Sequence, residues 1–178
     1  MATPAVPFPQ LVKDCEADGL TVKNAEKIGA EIARAFGVQT HEVGILRVER
    51  QNLVFVYPVK LHNVGSIPLN TTSSVAVRTV NSKRGEIINN FAQTKHTTIF
   101  ESVELEGKGT NAFGDKHDHS VHMIQKLMSA PVLGAAGVVG VIQVSRKGAN
   151  APASGPDFTP ADLTKLSSMA AAIAKCFK

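Results

Sequence analysis

Hydrophobic spacing changes period several times along the chain, and each change marks an element. Ala25, Ile28, Gly29, Ile32, Ala33 and Phe36 recur at three- and four-residue steps and share one helical face, with Glu26, Lys27, Glu31 and Arg34 opposite. Gly37 supplies the stop, because a glycine just past a helix enters the left-handed region without a Cβ clash. Upstream, Pro4, Pro7 and Pro9 predict an extended arm, and residues 11–17 a short helix ending at Asp18-Gly19. Residues 43–49 and 53–59 are rich in β-branched and large apolar side chains. The short spacer Arg50-Gln51-Asn52 between them predicts an antiparallel hairpin. In the first strand Val43, Ile45, Arg47 and Glu49 share one face, and Gly44, Leu46 and Val48 the other. Apolar groups on both faces predict a sheet with helices on one side and a second covered region on the other.

Further along, residues 71–83 read as a helix capped by Thr71 or Thr72 and stopped at Gly85. Residues 86–89 read as a short strand running into Asn89-Asn90-Phe91. Periodicity lapses over residues 92–121, which are polar and contain Gly107, Gly109 and Gly114, with one short helix expected near 97–103. A loop of this length inside a domain is commonly functional. Regularity returns with strands at 124–133 and 138–146, joined through Gly134-Ala135-Ala136-Gly137. After a Pro/Gly-rich loop, Thr159 is an N-cap, Pro160 fits the first helical position and Asp162 the first turn. Leu163, Leu166, Met169, Ala170, Ile173 and Phe177 give that last helix its buried face.

Size and charge narrow the classes. A chain of 178 residues suits one domain, here divided into an arm with a short helix (1–19) and a main domain (20–178). The net charge of +4 comes from scattered Lys and Arg, the longest basic runs being pairs such as Lys83-Arg84 and Arg146-Lys147. That dispersal argues against nucleic-acid binding. Cys15 and Cys176 make no disulfide framework. The opening MATPAVPFPQ lacks a basic leader and an apolar stretch, and no segment approaches the ~20 apolar residues of a membrane helix. The expectation is a cytoplasmic protein with reduced thiols that neither spans a membrane nor binds nucleic acid.

The order helix, strand, strand, helix, strand, irregular segment, strand, strand, helix resembles that of a GAF domain. The likeness covers roughly residues 20–177 and is strongest in MSAPVLGAAGVVGVIQVSRK and FTPADLTKLSSMAAAIA. It implies an α/β protein of the α+β type. Five or six antiparallel strands would be backed by the N- and C-terminal helices on one face, with a ligand pocket on the other. It further implies a sensory module, a small-molecule ligand whose identity the residues do not name, and a homodimer formed through the terminal helices; any cofactor is unknown. Some cyclic-nucleotide-binding members carry an Asn-Lys pair, a distant Phe and then Asp-Glu. The equivalent positions are Arg146, Lys147, Phe158, Asp162 and Leu163; Lys147, Phe158 and Asp162 match, whereas Arg146 and Leu163 depart. The departures argue against a cyclic nucleotide. The resemblance implies that Lys147 and Asp162 pair, bracing the last strand against the last helix.

Candidate pocket residues lie before that brace. Asn89 and Asn90 offer amides that donate and accept, and Phe91 a ring that stacks on planar groups. His96, Thr98 and Phe100 follow, and then His117, His119 and His122. In an extended segment His117 and His119 point the same way and could share a metal with Asp118 or Asp115. The spacing fits no zinc motif, so pocket-lining imidazoles are the simpler reading. Catalysis finds little support: Cys15 and Cys176 fall outside the expected pocket. The free methionine sulfoxide reductases, an enzymatic GAF branch, rely on pocket-loop cysteines, and residues 92–121 contain none. The expectation is a non-enzyme: a ligand-binding sensor or, as the alternative, a dimerisation scaffold whose pocket is filled by its own side chains.

Overall fold

The computed structural model describes residues 7–93 and 123–178. Helix α1 (Phe8–Asp18) begins earlier than the prolines suggest. Pro7 is its N-cap and Pro9 lies in its first turn, where a missing N–H leaves no helical bond unmade. Helix α2 (Val22–Phe36) is capped by Thr21, whose hydroxyl accepts from Asn24 N at 3.2 Å, and it ends at Gly37 in the left-handed conformation. Strands β1 (Val43–Glu49) and β2 (Asn52–Tyr57) form the expected hairpin. Strand β3 (Ser66–Pro68) pairs with β2 and is too short to carry a readable alternation.

Helix α3 (Val75–Ser82) is shorter than residues 71–83 predict. Ser74, not Thr71 or Thr72, caps it by accepting from Val77 N at 3.3 Å, and Lys83, not Gly85, takes the left-handed position at its end. Strands β4 (Glu86–Ile88), β5 (Met123–Gly134) and β6 (Gly137–Gly148) follow, with Ala135-Ala136 alone at the β5–β6 turn. Helix α4 (Pro160–Ile173) has the predicted cap, closed as a box: Thr159 Oγ1 accepts from Asp162 N, and Asp162 Oδ2 accepts from Thr159 N. The six strands form one antiparallel sheet in the order β3-β2-β1-β6-β5-β4.

The sheet carries a core on each face. On one, α1, α2 and α4 lie over Val43, Ile45, Met128, Ala130, Val132, Ile142 and Val144. Leu11, Val12 and Cys15 of α1 are buried in this layer, so the first helix is packed with the rest of the domain. Leu166, Ala170 and Ile173 form the buried stripe of α4, with Leu163 and Met169 half-buried at its margins; Phe177, expected on the same helical face, lies beyond the helix end and packs half-buried against this core. Gly29 lets α2 approach the sheet: a Cβ there would fall 2.6 Å from the Tyr57 ring, whose hydroxyl donates to Thr40 O at 3.0 Å. The opposite face holds Leu46, Leu53, Phe55, Leu127 and Val141 beneath α3, together with Leu61, Ile67 and Phe91. Full burial of each such side chain contributes about 1.5–3 kcal/mol.

Candidate functional site

Strand register decides what lies under α3. Cross-strand partners share a face, so Leu127 and Ser145, Ser129 and Gln143, and Pro131 and Val141 line the same side as Leu46, Val141's partner on β1. Polar side chains therefore interrupt the second core. Ser129 and Thr79 are fully buried and hydrogen-bonded to each other, Oγ to Oγ1, at 2.7 Å. Gln143, 3% exposed, donates from Nε2 to Ser129 Oγ at 3.4 Å. Thr79 also donates to Val75 O at 2.9 Å, tying the row into α3. Arg78, next along α3, holds Glu86 of β4 through two parallel bonds of 2.8 and 2.9 Å. Those bonds raise the Arg78 pKa, against a smaller lowering by burial, and keep the guanidinium charged.

The row ends in a second polar group. Ser145 donates to Glu42 O at 3.2 Å, and the Glu42 carboxylate accepts from Lys147 N at 2.8 Å and Gln39 N at 2.7 Å. Lys147 Nζ donates to His41 O at 3.1 Å. Asp162 closes its capping box rather than reaching Lys147, so the brace between last strand and last helix runs elsewhere. Arg146, a residue departing from the cyclic-nucleotide pattern, lies over the Phe158 ring at 4.8 Å and donates to Phe36 O at 3.2 Å. Lys126, almost wholly buried, adds bonds to Asp157 (2.8 Å) and Gly155 O (2.6 Å).

The predicted site residues separate. Asn89 gives its whole amide to a distant backbone: Nδ2 donates to Phe158 O at 3.0 Å, and Oδ1 accepts from Phe158 N at 2.9 Å. Asn90 is exposed, and its carbonyl accepts from Gln93 N. Phe91 is 1% exposed and part of the core beneath α3. His96, Thr98, Phe100, His117, His119 and His122 lie outside the described residues. Among the described residues no group of three or more His, Cys, Asp or Glu is placed to hold a metal ion. Nor is any helix among them long and apolar enough to cross a membrane. Sequence reasoning missed Thr79, Ser129 and Gln143; the one legible signal was at Ser129, a hydroxyl whose strand neighbours two residues away, Leu127 and Pro131, are apolar.

No protein-family model and no curated protein matches the sequence. Solved structures do. The chain is similar to the GAF domain of a phosphoenolpyruvate-protein phosphotransferase from Acinetobacter, at 12% identity and a TM-score of 0.63, over 99% of this chain and 94% of that one. The fold is that of a GAF domain. The GAF-B domain of DevS from Mycobacterium smegmatis matches at 14% identity and a TM-score of 0.54, over 85% of this chain and 88% of that one. The free methionine-R-sulfoxide reductase from Neisseria meningitidis, solved with its substrate, matches at 16% identity and 0.60, over 99% and 92%. At these identities the likeness is one of fold. A similar fold thus occurs in a reductase solved with its substrate and in a domain of a phosphotransferase, and the chemistry has to be read from this chain's own residues.

Those residues place both thiols away from the polar row. Cys15 and Cys176 are buried in the core under the helices, where Cys176 Sγ donates to Val12 O at 3.8 Å. Burial raises both pKa values, that of Cys176 to about 11, with the nearby Cys15 as a second cause. Such thiols are poor nucleophiles at neutral pH.

Proposed function

We propose that this GAF-fold chain is a sensory or regulatory module that binds a small molecule on the α3 face and acts through a conformational change or through dimerisation. One observation carries the reading: the buried row of Thr79, Ser129 and Gln143 sets hydroxyl and amide groups into an otherwise apolar core, on the face that α1, α2 and α4 leave uncovered. Ligand sites combine apolar walls with a few placed polar groups of this kind. Phe91 supplies an aromatic wall beside them, and we include His96, Thr98, Phe100, His117, His119 and His122 as further contacts. Asn89 and Asn90 would stand at the edge of the site.

Mass spectrometry under native conditions tests the binding, by detecting a metabolite carried through purification. Thermal shift against nucleosides, amino acids and their phosphorylated counterparts extends the test. A bound small molecule whose stabilisation drops on Ser129→Ala is the expected result. A second reading, a scaffold whose pocket is filled by its own side chains, is favoured by the full burial of Phe55, Phe91 and Leu127 on this face. No carried ligand and no stabiliser in the panel would select it.

For dimerisation the proposed surface is the outer side of the helical layer. Two clefts lie there, one of about 290 Å³ lined by Leu11, Asp14, Lys27, Ala30 and Glu31. The other, about 370 Å³, is lined by Phe8, Arg34, Ala35, Lys165 and Met169 as well as Glu31. Light scattering on the full chain should report a dimer that Met169→Glu converts to monomer; an unchanged mass rejects this surface.

A further inference from the structure

Asn89 stands at the junction of the two cores. Its amide bonds both the N–H and the C=O of Phe158, 69 positions away, as a neighbouring strand would. An amide side chain carries the donor and the acceptor on separate atoms, side by side, as these two bonds require. On one side of the junction is the α3 face. Glu86 of β4 is held by Arg78, Ile88 packs into the core beneath α3, and Phe91, two residues past Asn89, is buried in it. On the other side is α4. Phe158 immediately precedes the Thr159 cap, and its ring is buried in the core under the helices beneath Arg146. Leu163, in the first turns of α4, rests on Gly85: a Cβ there would lie 2.8 Å from Leu163 Cδ1. The stretch from Gly85 to Phe91 thus touches the candidate site with one set of side chains and the start of α4 with another.

We propose that Asn89 is a coupling residue: its two bonds to Phe158 make the order of the first turns of α4 depend on the packing of α3 against the sheet. This rests on the reading of the α3 face as the ligand site, and it names the start of α4 as the output of that site. A ligand acting between α3 and the sheet shifts β4, and Asn89 carries the shift to the residue that opens α4. The helix start responds because its first N–H groups have no helical partners and depend on the cap for order. Coupling of this kind is carried by a contiguous contact whose two states, made and broken, both ends can bias.

Hydrogen exchange of the full chain, with no ligand added, tests it. Thr79→Val removes the bond to Ser129 and perturbs only the α3 face. Exchange at the Leu163 amide, which donates to Thr159 O at 3.1 Å, and at the next amides of α4 should quicken roughly three- to tenfold, while β1 amides hold their rate. In an Asn89→Leu background the same change should leave α4 no faster than Asn89→Leu alone. Asn89→Asp keeps the acceptor for Phe158 N but loses the donor; it should give a partial effect, and it serves where the leucine variant does not fold. Equal quickening with and without Asn89 overturns the coupling. So does quickening in β1 as large as in α4, or no quickening of α4 in the parent chain. Because no ligand enters, this outcome is separate from whether the α3 face binds one.

Discussion

The two faces of the sheet are built on different terms. Under α1, α2 and α4 the centre of the sheet contributes apolar side chains, among them Val43, Ile45, Met128, Ala130, Ile142 and Val144, while Arg47 and Arg146 reach the carbonyls of Leu20 and Phe36 at the margins. Under α3 the same strands alternate apolar groups with Ser129, Gln143 and Ser145. An apolar layer asks only for shape and volume, whereas a buried hydroxyl or amide costs free energy unless a specific partner meets it. Shape therefore holds the centre of the helical layer, with hydrogen bonds only at its margins, whereas on the α3 face hydrogen bonds run through the core itself. The second sets polar atoms within its core, where a ligand's own groups could meet them.

The largest effect that tests this contrast belongs to the helical side. Ile142 is fully buried on a central strand, so Ile142→Ala should destabilise by about 2–5 kcal/mol, the transfer loss plus the cavity left behind. Chemical denaturation would measure it, and a loss well under 1 kcal/mol would mean that this layer is loosely packed. On the α3 face the signature is non-additivity. Thr79→Val keeps the shape and leaves the Ser129 hydroxyl short of a partner, for an expected loss of about 1–3 kcal/mol. Adding Ser129→Ala removes that hydroxyl but also takes the acceptor from Gln143 Nε2, so the double variant should lose less than the sum of the two single losses without regaining the parent's stability. Simple addition of the two single losses would show that the Thr79–Ser129 bond does not distinguish the faces.

The contrast also sorts what was legible in the sequence. Elements with long, regular spacing were read at or near their true bounds: the stripe from Ala25 to Phe36, the β1–β2 hairpin and the Thr159-Pro160 helix start. Apolar groups on both faces of β1 predicted two cores, and two are present. Short elements were misjudged because competing caps lie close together. Ser74 displaced Thr71 and Thr72, and Lys83 took a left-handed position that Gly85 seemed better suited to hold. Site residues were harder still. Asn89 looked like a ligand contact because an amide bonds anything, and nothing local reveals that its partner is the backbone of Phe158. The brace of Lys147 to Asp162 failed for the converse reason. A first-turn acid has a nearer partner in its own N-cap, and Arg146 was free to cover Phe158.

That N-cap gives a smaller and more local effect. Thr159→Ala opens the capping box and should cost about 1 kcal/mol, with exchange quickening in the first turn of α4. If stability and exchange are both unchanged, Asn89 and Phe158 alone hold the helix start.

The smallest effect concerns Cys176 and appears only above neutral pH. Its pKa is pushed up to about 11 from an ordinary 9.0, chiefly by burial, so at pH 8 the folded chain holds roughly a hundredfold less thiolate than a free thiol. Iodoacetamide should label it only as fast as the chain unfolds, because reaction needs the thiolate and access to it. The sign of the linked pH effect follows. A thiol whose pKa is raised on folding leaves stability untouched below about pH 9, where both states keep the proton. Between about pH 9 and 11 the unfolded chain releases that proton and the folded chain does not, so stability falls as pH rises. Denaturation at pH 8 and pH 10, compared with Cys176→Ala, isolates the term: the variant should lose less on going alkaline. Fast labelling at pH 8 under conditions where β1 amides stay protected would show that the helical layer opens locally. The two faces would then differ less in rigidity than their composition implies.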